Sequence, residues 1–103
     1  MHIFDARITA IIPATPSIHV LRLAIPDPAF RFLPGQWVEF SIEVDGATHT
    51  SGYSITTSPI HEGGIELAIR ASARHPVARW VHERARVGDP VRISQGQGPF
   101  VYL

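Results

Sequence analysis

Between residues 36 and 44 the chain alternates strictly: Val38, Phe40 and Ile42 fall on one side, Glu39, Ser41 and Glu43 on the other. A period of two marks a strand with one buried and one wet face, because successive side chains of a pleated strand point to opposite faces. Wound into a helix, the same apolar set would scatter around the axis and could not be buried together. The pattern recurs at 2–12, where Phe4, Ala6, Ile8 and Ala10 oppose Asp5, Arg7 and Thr9, and at 18–25, where Leu21, Leu23 and Ile25 alternate with Arg22 and Ala24. It recurs again at 65–71 (Ile65, Leu67, Ile69) and 90–94 (Val91, Ile93). Nine prolines and eight glycines fall largely between these runs. Pro13 and Pro16 are expected to stop the first, and Pro26-Asp27-Pro28 the second; Pro34-Gly35 launches the third and Gly63-Gly64 the fifth. A fourth run, 51–57 ahead of Pro59, is polar for a core strand.

One segment, 76–86, reads as helix: Val77, Trp80, Val81 and Ala85 recur at three- and four-residue spacing. Pro76 suits the first helical position, Gly88 a stop, and Arg84 and Arg86 the negative end of the helix dipole. Six short strands with one late helix predict an all-β fold: a six-stranded antiparallel Greek-key barrel with the helix between the fifth and sixth strands, plugging one end. Trp37 and Trp80 stand in apolar contexts and are expected in the core.

At 103 residues the chain is expected to be a single domain, 1–103. Nine Lys+Arg balance nine Asp+Glu, which argues against nucleic acid and against a polybasic membrane anchor. There is no cysteine and no lysine, which excludes disulfides, thiolate nucleophiles, cysteine-ligated metals and Schiff-base chemistry through lysine. His75 and His82 have no carboxylate at ligand spacing, so no metal site is expected; Ser54, His75 and Asp89 lack the context of a nucleophile elbow. The start does not read as a signal peptide and no apolar run is long enough to span a membrane, so a cytoplasmic protein is expected.

Two segments carry chemistry. Six of the nine arginines (Arg70, Arg74, Arg79, Arg84, Arg86 and Arg92) surround the helix, opposed there only by Glu83 and Asp89. A helix start with free N–H groups amid cations suits phosphate or pyrophosphate, although solvated surface arginines account for the same charges equally well. Around Tyr53, Ser51, Ser54, Thr56, Thr57 and Ser58 contribute five aliphatic hydroxyls, and Gly52 removes a side chain. That suits a flat heteroaromatic ligand stacked on the tyrosine and bonded at its edge; an edge strand with a wet face is the plainer account.

Four stretches, taken in order, resemble one family: Phe32-Leu33-Pro34-Gly35-Gln36-Trp37-Val38-Glu39-Phe40, Gly52-Tyr53-Ser54-Ile55-Thr56-Thr57-Ser58-Pro59, Ile65-Glu66-Leu67-Ala68-Ile69-Arg70 and Val87-Gly88-Asp89-Pro90-Val91. The chain is similar, over roughly 6–100, to the flavin-binding domain of the ferredoxin–NADP reductase superfamily, in the flavour of the oxidoreductase NAD-binding domain-containing proteins. The resemblance implies a flavin-dependent NAD(P)H oxidoreductase that binds FAD, less often FMN, on the outside of the barrel. Carried over by position, Tyr53 stacks on the isoalloxazine and Ser54, the implied catalytic residue, hydrogen-bonds its reactive nitrogen with Ile55 beside it. Arg70, Ala71 and Ser72 line the ribityl and phosphate path. His75, Pro76, Val77 and Ala78, at the helix start, cradle the pyrophosphate with backbone N–H groups.

This chain departs from the family in three ways. The strand motif is usually Arg-x-Tyr-Ser/Thr, whose arginine grips a flavin phosphate; Ser51 stands at that place, leaving Arg74 or Arg79 to compensate. The helix-start motif is often Gly-x-x-Ser/Thr, where this chain has His75 and Ala78. The family's NAD(P)-binding domain is expected to be missing or on a separate polypeptide, since Gly96-Gln97-Gly98 lacks a third glycine and a following helix. NAD(P)H is thus expected through a separate domain, with the electron acceptor open. The alternative is a non-catalytic β-barrel, a binding or interaction module that has lost its flavin.

Overall fold

The computed structural model describes residues 2–33, 35–56 and 64–98. Pro34, Thr57, Ser58, Pro59, Gly63 and Phe100, on which parts of the expectations above fell, lie outside the described residues. The elements are β1 (Ile3–Thr15), β2 (Ile18–Ala24), β3 (Trp37–Val44), β4 (Ala47–Ser54), β5 (Gly64–Arg70), α1 (Pro76–Glu83) and β6 (Pro90–Ser94). They form an antiparallel six-stranded sheet in the order β4-β3-β6-β1-β2-β5, the last strand returning to lie between β1 and β3. The all-β class and the place of the single helix are as expected. The word barrel needs loosening. The two edge strands, β4 and β5, are not laddered together: a single bridge, Ile55↔Leu67, joins that seam among the described residues.

The alternating residues meet on the inner face. Phe4, Ala6, Ile8, Leu21, Leu23, Val38, Phe40, Ile42, Ile65, Leu67, Ile69, Val91 and Ile93 are all buried, and Val77, Ala78 and Val81 of α1 close the core from the side. Ala10 is the exception. The register slips between Ile8 and Ala10, so that Ala10 pairs with outward-facing Arg22 while Ile11 pairs with Leu21 and packs on the core. A bulge of one residue flips every later side chain to the other face.

Pro13 does not stop β1. The β6 ladder covers β1 only from Ile3 to Arg7, so beyond it β1 has one free edge, where a missing N–H removes no ladder bond. β4 begins at Ala47, earlier than expected, because Asp45 (φ 52°) and Gly46 (φ 83°) make a two-residue hairpin turn from β3. α1 ends at Glu83, short of Arg86; beyond it the Asp89 carboxylate accepts from the Arg86 N–H at 2.9 Å, in a turn fastened to β1 through Gly88 N–H to the Ile8 carbonyl at 2.7 Å. Among the described residues, no helix is long and apolar enough to cross a membrane.

Candidate functional site

The β4–β5 seam is where the expected site residues gather. At one end it is stitched by Ile55↔Leu67 and by Thr56, whose N–H donates to the Glu66 carbonyl at 3.0 Å. Elsewhere α1 packs against both strands. Because β4 is an edge strand with no fully buried residue, its period of two yields two usable faces. His49, Ser51 and Tyr53 form a half-buried row, and Thr48, Thr50, Gly52 and Ser54 form an exposed one.

Tyr53 lies opposite Val38 and edge-on to Phe40, ring centroids 6.1 Å apart at 77°. Burial pushes its phenol above the ordinary value of 10.0, and a side-chain hydrogen bond with Ser51 pulls the other way. The residue at the family's arginine position therefore contacts the tyrosine. Ser54 is exposed and sits across the ladder from Trp37. Trp37 is not core as expected: it is 37% exposed, and a Cβ at Gly52 or Gly98 would come within 3.4 Å of its indole. The two glycines let the ring lie against backbone, which an inward position would not. Ile55 is buried, and its N–H donates to the Gln36 carbonyl at 3.0 Å, so it supports the strand end from within.

At the other end of the site, His75 is the N-cap residue, with extended backbone, no side-chain cap hydrogen bond and no acid in the following turn. The first-turn N–H groups and the positive end of the helix dipole are therefore without a capping side chain or a neighbouring carboxylate from the first turn. Val77 and Ala78 point their side chains into the core, so only their backbone is available to a ligand; His75 and Pro76 are exposed. Ala71 cannot offer its N–H, which donates to the Ser17 carbonyl at 2.7 Å, and Ser72 is half-buried. The arginine surplus is partly neutralised: Arg79 lies 3.9 Å from Glu83, Arg84 3.8 Å from Asp45 and Arg92 3.6 Å from Asp5. These pairs are exposed and individually weak. Arg70 and Arg74 make no ion pair among the described residues.

A cavity of about 440 Å³ lies between the hairpin end of β4 and α1, lined by His49, Arg74, Pro76, Arg79 and Trp80 and flanked by the Asp45–Arg84 pair; Ser51, Tyr53 and Ser54 lie outside its lining. Sequence reading missed His49 and Trp80 as lining residues. The signal for His49 was its two-residue step from Ser51 and Tyr53; for Trp80 it was the flank of the apolar stripe. Among the described residues, no group of three side chains could ligate a metal. An aromatic ring and hydroxyls at one end, with uncapped amides and unpaired guanidiniums at the other, fit a ligand that is flat and aromatic at one end and anionic at the other.

The comparisons agree with that chemistry. The sequence profile described as the oxidoreductase FAD-binding domain matches residues 5–102. The chain is 40% identical over 99 residues to oxidoreductase NAD-binding domain-containing protein 1 of Danio rerio, covering 93% of this chain and 36% of that protein. It is 30% identical over 104 residues to a flavohemoprotein of Schizosaccharomyces pombe, covering 95% of this chain and 24% of that protein. The chain thus spans about a third or less of these relatives. Among solved structures, its fold superposes with a TM-score of 0.83 on a ferredoxin NADP+ reductase from Neisseria gonorrhoeae with bound FAD and NADP, at 14% identity, covering 95% of this chain and 39% of that one. By the match along nearly its whole length, the chain belongs to the oxidoreductase FAD-binding domain family, whose cofactor is FAD.

Proposed function

We propose that the chain is the flavin-holding part of an NAD(P)H-dependent oxidoreductase that passes electrons between a nicotinamide cofactor and an acceptor. One observation carries the reading. Tyr53 and Ser54 end an edge strand whose half-buried row runs, through His49, to a helix start with neither cap nor acid. FAD, when bound, supplies the redox chemistry that the side chains here lack. Tyr53 gives the isoalloxazine a stacking surface, and the Ser54 hydroxyl donates to its reactive nitrogen. Arg70, Ser72 and Arg74 line the ribityl and phosphate path, with Ala71 contributing surface alone. The amides of Val77 and Ala78 hold the pyrophosphate, shaped by His75 and Pro76. Arg74 takes over the charge that Ser51 cannot supply, because it lines the cavity without an ion-pair partner among the described residues, whereas Arg79 faces Glu83. The nicotinamide comes from a domain outside the match, and the relatives' greater length is consistent with one.

Titration of the protein with FAD, followed by flavin fluorescence, tests this. A saturable change is expected, and Arg74→Ala should weaken it about tenfold, as for loss of one charge-assisted hydrogen bond, and more at low salt. No saturable change would leave the flavin-free module.

A further inference from the structure

The loop that launches β3 has no part in the reading above, yet three segments of the chain meet on one of its residues, through side chain and backbone together. Gln36 is half-buried and its amide is used at both ends: Oε1 accepts from the Leu33 N–H at 2.9 Å and Nε2 donates to the Gly98 carbonyl at 2.9 Å. Its backbone is engaged as well. The N–H donates to the Leu33 carbonyl at 3.1 Å, and the carbonyl accepts from the Ile55 N–H at 3.0 Å. One residue on, Trp37 and Gln97 exchange hydrogen bonds of 3.0 and 2.8 Å. Gly96 makes room for the arrangement, since a Cβ there would stand 2.5 Å from Gln36 Oε1 and 2.9 Å from Phe32 Cα. Gln36 thus clasps the pre-β3 loop, the end of β4 and the segment after β6.

The position of the clasp matters more than its number of bonds. Ile55 directly follows Ser54, and Trp37, which follows Gln36, is Ser54's partner across the ladder. Ser54 itself is exposed. Its place is set by its neighbours on the strand and across the ladder: the Gln36 carbonyl holds Ile55, and the Gln36 side chain ties down Gly98, next to the Gln97 that pairs with Trp37.

We infer that Gln36 is a positioning residue, fixing where the Ser54 hydroxyl stands relative to the flavin ring. The inference rests on the flavin reading. A positioned donor stabilises charge on a reacting ring only while its geometry is fixed, and small displacements weaken a hydrogen bond steeply. Gln36→Ala removes both side-chain bonds. Gln36→Glu retains the acceptor toward Leu33 but sets a carboxylate against the Gly98 carbonyl, and serves as a second variant should the alanine form fail to fold.

The test is a double-mutant cycle read as the midpoint potential of protein-bound FAD. Ser54→Ala and Gln36→Ala should each shift the potential in the same direction, and the double variant should shift it no further than Ser54→Ala alone. The same non-additivity is expected with Gln36→Glu. Shifts that add would mean that Gln36 acts on the flavin by another route; a Gln36 variant at the wild-type potential would mean that it does not act at all. Either result overturns this inference and leaves the flavin site standing. Wild-type protein that fails to bind FAD, or a Ser54→Ala potential equal to wild type, would overturn the reading beneath it as well.

Discussion

Tyr53 is half-buried already, so the part of its ring still open is the part a flat ligand can cover. Stacking there adds the energy of one aromatic contact. Tyr53→Ala should weaken FAD binding by about 1–2 kcal/mol, roughly five- to thirtyfold in Kd. A titration giving equal affinity would remove Tyr53 from the pose. At this scale the sequence was readable wherever one residue type answers one demand. The alternation at Val38, Phe40 and Ile42 placed each of them inward, as observed. It failed at Ala10, because a bulge leaves no trace in a hydrophobic pattern when Ile11 can take the inner place just as well. It failed again at Trp37, where context suggested core and the absent side chains of Gly52 and Gly98 decided otherwise.

The boundaries of elements depended on partners that a linear pattern does not name. Pro13 reads as a stop only if both edges of its strand are paired, and one is not. The turn Asp45-Gly46 is a strong two-residue hairpin signal, but the polar residues after it hid a strand that needs little burial because it lies at the sheet's edge. The helix was legible from its stripe, yet how it docks was not. The imidazoles of His82 on α1 and His19 on β2 stack with centroids 3.9 Å apart at 21°. The His82 Nε2–H donates to the Ile69 carbonyl at 2.8 Å, and His19 Nδ1 is buried without a partner. Burial, and after it the neighbouring His82, hold His19 below its ordinary 6.5. The positions paired with His19 on β1 and β5 are Pro13 and Ile69, which bring no compensating charge.

The sign follows from which state binds the proton. The folded chain keeps His19 neutral at a pH where the unfolded chain would protonate it. The stabilisation is complete above 6.5 and is lost as pH falls through 6.5 toward the lower folded value. The melting temperature should therefore drop on acidification below 6.5, and His19→Phe, which keeps a ring against His82, should flatten that drop. An unchanged acid slope in the variant would show that His19 is not the group whose protonation drives the drop.

For the molecule as a whole, the open seam is the decisive feature. A sheet that closed fully would bury its edges; this one joins β4 and β5 by a single bridge among the described residues and packs a helix against both strands. Strand number and helix placement could be read from spacing. The seam could not, because strand order is set by long-range pairing that no local pattern carries. The structure of the complex with FAD tests the account most directly. The account predicts the isoalloxazine against Tyr53, with Ser54 at its reactive nitrogen and the pyrophosphate at the amides of Val77 and Ala78. Flavin bound elsewhere, or a ring and a pyrophosphate that do not span Tyr53 and the start of α1, would contradict it.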